Sequence, residues 1–240
     1  MLHPDVKSQL PSSVLSAWRH STDAPTRMLV LPDGCRDFII RSNPSGKSLH
    51  MVSPLDDTAR YVESDGGNTY YGWRLHPGTC FKTAQGKSPV AEDFLKDLVT
   101  RFQADPVHGT TQVLNVLDEL FCIDTEIVDA LNSLKNQQSV LHAARDLGVS
   151  ERSLQRWLTE KTGRSPIYWR SLARARQSAQ ALLARKNTDN RISFAELAAD
   201  FSYADQAHLC REFQRWFGCS PSAMLRSATY QELILADGYA

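Results

Sequence analysis

The 240 residues are 42% apolar and 22% charged with no charge-rich tract, which excludes a disordered chain and allows two ordinary domains. The zero net charge is unevenly placed: residues 1–139 hold 13 Lys and Arg against 17 Asp and Glu, residues 140–228 hold 14 against 8, and the last twelve add two acids. Five scattered cysteines without a C-x-x-C pair exclude a disulfide framework and a zinc knuckle, and no apolar run approaches the roughly 18 residues of a membrane span, so the chain reads as soluble, cytoplasmic and without membrane contact.

In chain order, short apolar runs come first: 28–31, 38–41, 49–52, 60–63 and 69–75, separated by Pro32-Asp33-Gly34, Asn43-Pro44-Ser45-Gly46, Ser53-Pro54 and Asp65-Gly66-Gly67. Runs of this length between turn residues predict antiparallel strands, with Pro32-Asp33-Gly34 as a hairpin turn. From Ser88-Pro89 the period becomes helical, through Phe94, Leu95, Leu98, Val99 and Phe102, then Val113, Leu114, Leu117, Leu120 and Phe121, then Ile127, Val128, Leu131 and Leu134. Further on, a short helix over 140–147 and a Gly148-Val149 turn precede a helix capped by Ser150 and stopped by Gly163. Ser165-Pro166 starts a long helix to about Arg185. Asn187 to Asn190 break the chain, Ser193 with Glu196 forms a capping box, and a last helix runs from the Asp205 cap to Gly218. The fold expected is an α+β N-terminal domain, a small antiparallel sheet plus helices, over 1–135. An all-α domain over 136–228 follows, with two helix-turn-helix units joined by a long helix, and then a tail over 229–240.

The all-α part writes one pattern twice at a shift of 55: Ala143, Ala144, Leu154, Arg156, Gly163, Ser165 and Pro166 recur as Ala198, Ala199, Leu209, Arg211, Gly218, Ser220 and Pro221. On the helix after Ser150, Leu154 and Leu158 form the inner stripe and leave Arg152, Ser153, Gln155, Arg156 and Thr159 outside. Arginine can bond guanine O6 and N7 with two donors and glutamine can pair with the adenine edge, so this face is equipped for base readout. The second helix buries Leu209, Phe213 and Phe217 and presents Ala207, His208, Cys210, Arg211, Gln214 and Arg215, a sparser set suited to register and affinity. Helix N-termini at Val140, Ser165 and Ser193 suit phosphates. The linking helix, about 19 residues and so roughly 28 Å long, nears the ~34 Å between successive major-groove faces. Exposed Arg and Gln on one helix are ordinary solvated residues. A second copy with the same Gly-x-Ser-Pro ending is not something solubility requires.

These residues resemble the C-terminal DNA-binding domain of AraC/XylS-type bacterial transcription regulators: AARDLGVSERSLQRWL at 143–158 with GRSP at 163–166, and YADQAHLCREF at 203–213 with FGCSP at 217–221. The resemblance implies a sequence-specific regulator of double-stranded DNA, contacted through Arg152, Gln155 and Arg156 and through Ala207, His208 and Arg211, to which the exposed faces add Ser153 and Arg215. Ser202 departs from it, standing where the second turn usually carries Gly, and a positive backbone angle there would strain it. LPDGCRDF at 31–38 and GWRLHPG at 72–78 resemble a sensor-type N-terminal domain of some of these regulators. That implies a small-molecule effector or a homodimer contact there, and RNA polymerase as a partner of an activator. No catalytic constellation, cofactor motif or metal site is expected. His50, His76, Cys35 and Cys80 have no ligand spacing, and Trp73, Tyr70 and Tyr71 read as packing. A cysteine-dependent alkyl-transfer protein acting on DNA through Cys35 or Cys80, and a helical interaction adaptor, are the alternatives.

Overall fold

A computed structural model describes residues 10–43, 45, 48–82, 95, 97–102, 105–188 and 193–240. Strands β1 (Val14–Ser21), β2 (Thr26–Val30), β3 (Arg36–Ser42), β4 (Ser48–Val52), β5 (Arg60–Ser64), β6 (Thr69–Leu75) and β7 (Thr79–Phe81) are followed by α1 (Pro106–Leu120), β8 (Phe121–Ile123) and α2 (Thr125–Asn136). Then come α3 (Val140–Asp146), α4 (Glu151–Thr162), α5 (Pro166–Thr188), α6 (Phe194–Asp200), α7 (Gln206–Phe217), α8 (Pro221–Arg226) and α9 (Ala228–Leu235). The helix start expected at Ser88 and the break at Asp189-Asn190 lie outside the described residues. Among the described residues no helix is long and apolar enough to cross a membrane.

The first compact unit comprises residues 1–28, 35–54 and 63–125. Its sheet runs β1-β6-β3-β4, antiparallel at each pairing. Alternation along β3 buries Phe38 and Ile40, and with Trp73 and Leu75 of β6 they meet Leu98, Val99, Phe102, Val113 and Leu117. The Phe102 ring stands edge-on to both Tyr71 at 4.8 Å and Trp73 at 5.7 Å, so these two aromatics of β6 are packing, as expected. Gly72 has a steric reason: opposite it in register lies Trp18, whose ring would sit 2.0 Å from any Cβ there. β7 and β8 form a separate antiparallel ribbon. Phe121, expected to end a helix, instead begins β8 and pairs with Phe81. β1, β7 and β8 were not anticipated.

The second unit comprises residues 29–34, 55–62 and 126–240. These boundaries differ from 1–135, 136–228 and 229–240 for identifiable reasons. Helix α2 buries Ile127, Ala130, Leu131 and Leu134 in the same core as α3 to α9. The tail is part of that core too: Tyr239 is buried, its hydroxyl donates to the Leu131 carbonyl at 2.7 Å, and its N–H donates to the Asp33 carbonyl at 2.7 Å. Pro32-Asp33-Gly34 is therefore not a hairpin turn. β2 pairs with β5 and β3 pairs with β4 and β6, while Gly34, at φ +75°, lies so close to Tyr239 that a Cβ would come within 2.6 Å of the tyrosine Cβ.

Helix α5 is the spine of this unit. The expected stripe of Tyr168, Leu172, Ala175, Ala179 and Leu182 is buried, but so are Trp169, Ala173, Arg176 and Leu183 along one flank of it and Ser178 on the other. The buried Arg176 guanidinium donates to the Ile234 and Ala236 carbonyls at 3.3 and 3.1 Å, fixing the end of α9. The helix continues past Arg185 to Thr188, and its 23 residues span about 34 Å.

Candidate nucleic-acid interface

Both helix-turn-helix units are built from the same local devices. Ser139 Oγ accepts the His142 N–H at 3.2 Å to start α3, and Ser193 Oγ accepts the Glu196 N–H at 3.2 Å to start α6. Each of these helices ends in the same pair of backbone bonds. Gly148 N–H reaches Arg145 O at 3.0 Å and Val149 N–H reaches Ala144 O at 2.9 Å; Ser202 N–H reaches Ala199 O at 3.1 Å and Tyr203 N–H reaches Ala198 O at 2.8 Å. The left-handed residue is Gly148 at φ +69° in the first turn and Ser202 at φ +55° in the second. Ser150 and Asp205 then cap α4 and α7, and Gly163 and Gly218, both left-handed, end them.

These matched bonds revise the register of the repeat. Ala144 corresponds to Ala198 and Ser139 to Ser193, a shift of 54, whereas Ser150 corresponds to Asp205 and Gly163 to Gly218, a shift of 55. The second turn contains one residue more, Tyr203 and Ala204 standing between the left-handed residue and the cap where the first turn has Val149 alone.

On α4 the inner stripe is Leu154, Leu158 and Thr162, while Arg152, Ser153, Gln155, Arg156 and Thr159 are all exposed. At about 100° per residue, Arg156 lies at the pole opposite Leu154 and Leu158, and Arg152 lies about 40° to one side of it. Gln155 is turned toward the flank and donates from Nε2 to Thr159 Oγ1 at 3.3 Å. Glu160 also lies near the pole and is exposed, an acceptor suited to cytosine N4 that the reading of the sequence left out. Thr162 holds the end of the helix: its hydroxyl donates to Leu158 O at 2.8 Å and accepts from Arg164 N–H and Trp169 Nε1–H, both at 3.1 Å, which fills its hydrogen-bonding capacity.

On α7, Ala207 and Arg211 are exposed at positions matching Arg152 and Arg156. Trp216, missing from the expected stripe, is buried with Leu209, Phe213 and Phe217. Two residues expected to face DNA take part in the fold of their own unit. His208 Nδ1 accepts the Ala204 N–H at 3.2 Å and its ring stands edge-on to Tyr203 at 5.3 Å, which leaves Nε2 as the donor. Arg215 lies 3.6 Å from Glu212 Oε1 and stacks over Trp216 at 5.0 Å.

The second turn is tied to α5 through Arg174. Its guanidinium donates to the Ser202 carbonyl at 3.3 Å, lies 4.3 Å from the centre of the Tyr203 ring and approaches Glu212 at 3.9 Å. Tyr203 is buried, with its hydroxyl 3.3 Å from Ser178 Oγ, and burial raises its pKa. Burial, and after it the Arg174 charge, lowers that of Arg170 one turn earlier.

Residues 55–62 form a strap across the C-terminal ends of both recognition helices. Below α4, Arg164 pairs with Asp57 at 2.8 Å and donates to the Leu55 carbonyl, and the Tyr168 hydroxyl donates to Asp56 O at 2.8 Å. Below α7, Ala59 N–H donates to Trp216 O at 3.0 Å, and its methyl would lie 3.5 Å from a Cβ on Gly218. The sequence carries no periodic signal for these bonds.

The remaining singled-out residues are dispersed in the first unit: His50 stacks on Phe38 at 6.3 Å, His76 Nδ1 bonds the Pro77 carbonyl at 2.6 Å, Cys35 is buried, and Cys80 faces Cys122. Among the described residues no three His, Cys, Asp or Glu side chains group as metal ligands.

Residues 143–227 match the helix-turn-helix domain family. No curated protein matches the chain. Among solved structures the chain is similar to ToxT from Vibrio cholerae, with 11% identity over 90% of this chain and 98% of that one at a TM-score of 0.42. It is also similar to an apo variant of ToxT from strain SCE256 of that organism, with 10% identity over 91% and 99% and a TM-score of 0.44.

Proposed function

We propose that residues 143–227, which match the helix-turn-helix domain family, are a DNA-binding domain of the AraC type and that the chain is a sequence-specific transcription regulator whose α4 and α7 enter successive major grooves of double-stranded DNA. The observation that carries this is geometric: two recognition helices with equivalent caps present Arg152 and Arg156, and Ala207 and Arg211, at equivalent exposed positions, and both pack on α5. On this reading Ser153, Gln155, His208 and Arg215 border the contact, and the N-termini of α3, α5 and α6 receive phosphates. A small-molecule effector or partner acts through the N-terminal unit, and homodimerisation or contact with RNA polymerase belongs to the same regulation. The strap of residues 55–62, which follows β4 in the chain, bonds the C-terminal ends of both recognition helices and is a place where such control can reach them. The reading involves no catalysis, and the burial of Cys35 supports it over an alkyl-transfer nucleophile at that position.

Genomic fragments selected by binding, footprinted with and without candidate ligands, give the operator. On it, Arg156→Ala should lose about 5- to 150-fold in affinity, the equivalent of ~1–3 kcal/mol for a bidentate base contact, with its non-specific binding falling far less. Equal operator affinity of the variant and the parent overturns the assignment of α4.

A further inference from the structure

We propose that Cys80 and Cys122 are a redox-active pair that closes to a reversible cross-strand disulfide in the presence of a low-molecular-weight disulfide. The two residues are 42 apart in sequence and directly opposed in the antiparallel ribbon of β7 and β8, with their Sγ atoms 3.5 Å apart. Opposed residues in such a ladder have Cα atoms about 4.5–5.5 Å apart, inside the roughly 4.4–6.8 Å that a disulfide spans. Reaching a bond of about 2.05 Å therefore needs the sulfurs to move roughly 1.5 Å, a side-chain rotation that leaves the strands in place.

The ribbon holds the pair in register from both sides. The Phe81 ring packs on Phe121 at 4.7 Å with the planes tilted by 34°, Lys82 N–H donates to Leu120 O at 2.9 Å, and Asp124 N–H donates to Gly78 O at 3.1 Å. Both thiols are half-buried, within reach of a small reagent. The other cysteines differ: Cys35 and Cys219 are buried, and Cys210 is half-buried on α7.

The chemistry balances as two exchanges. The thiolate of one cysteine attacks a sulfur of the reagent, breaking its S–S bond and expelling one thiolate, which takes up the proton the cysteine lost. The second cysteine attacks the mixed disulfide at the protein sulfur, forming the Cys80–Cys122 bond and expelling the second thiol. The protein gives up two electrons and two protons, and the reagent is reduced to two thiols.

The test treats the native full chain with glutathione disulfide, counts remaining thiols and maps peptides by mass. Two of the five thiols should disappear into one link between Cys80 and Cys122 without retained glutathione, and dithiothreitol should restore both. In Cys80→Ser or Cys122→Ser the partner should instead keep a glutathione adduct. The parent measurement decides without either variant: stable glutathione adducts on Cys80 or Cys122, or both thiols unreacted under conditions that modify Cys210, overturn the proposal.

Discussion

Ser202→Gly should stabilise the helical unit, and the gain can be worked from the second turn. Ser202 sits at φ +55° at the end of α6, a conformation that costs an L-residue roughly 1–2 kcal/mol. Glycine removes that cost but adds about 0.5–1 kcal/mol of unfolded-state freedom. The serine side chain is exposed, so no burial is lost, and the bonds that hold the turn run through backbone: Arg174 donates to the Ser202 carbonyl and the Ser202 N–H to Ala199 O. Both survive the change. The net gain is about 0.5–1 kcal/mol, read as a higher urea midpoint at unchanged slope. The first turn supplies the converse. Gly148 has φ +69° with nothing within 4 Å of a Cβ, so Gly148→Ala isolates the backbone term and should cost about 1 kcal/mol. An unchanged or lower midpoint for Ser202→Gly, or a harmless Gly148→Ala, would refute the assignment of strain to the left-handed conformation.

Two further outcomes follow from the core of the same unit. Burial raises the tyrosine pKa values of Tyr168, Tyr203 and Tyr239 above the ordinary 10.0, and burial followed by the neighbouring Cys219 pushes Tyr230 up to about 12. Because the folded values exceed the unfolded one, this contribution is complete below about pH 10 and is lost as pH rises through the folded values. Denaturation midpoints should therefore show no tyrosine-linked fall until about pH 10 and decline above it, and a midpoint that Tyr203→Phe and Tyr239→Phe leave equally sensitive to alkali contradicts the mechanism. Tyr239→Ala should cost about 3–5 kcal/mol, since it empties a site lined by Trp169, Gly34 and the Leu131 carbonyl. A loss under 1 kcal/mol in urea denaturation would mean that residues 236–240 do not belong to the core.

What was legible in the sequence is what is fixed within four residues. Ser150, Ser193 and Asp205 declare themselves as caps because the N–H they accept lies three positions on, and Gly163 and Gly218 as stops because few other residues adopt their φ. The features that were missed are closed by distant partners. β1 carries Trp18, Arg19 and His20 in no clear alternation and becomes a strand because β6 lies beside it. The strap at 55–62, the tail at Tyr239 and the Cys80–Cys122 pair each depend on residues tens to more than a hundred positions away, beyond any periodicity. The register of the repeat was hidden differently. Each unit has two consecutive alanines that a shift of 55 matches in full, whereas the shift of 54 matches only Ala144 to Ala198 and shows itself in Ser139 against Ser193 and Asp146 against Asp200.

That extra residue explains why the two units are unequal more fully than a count of exposed donors does. With Tyr203 and Ala204 between Ser202 and the Asp205 cap, the chain has room to bury Tyr203 under Arg174 and against Ser178. The Ala204 N–H that the insertion leaves over is taken by His208 Nδ1. The matching residue of the first unit, Ser153, meets only the hydroxyl of its own cap, at 2.9 Å. His208 is thus drawn into its turn and Arg215 into the Glu212 and Trp216 cluster, leaving Arg211 as the long donor at the centre of the α7 face. Arg152 and Arg156 stand at the corresponding centre of α4. On the proposed reading, Arg152→Ala and Arg156→Ala should relax base preference in one half of the operator. His208→Ala should lower stability together with affinity, because it removes the acceptor of a backbone N–H, and a His208→Ala protein of unchanged stability would return that residue to the reading face.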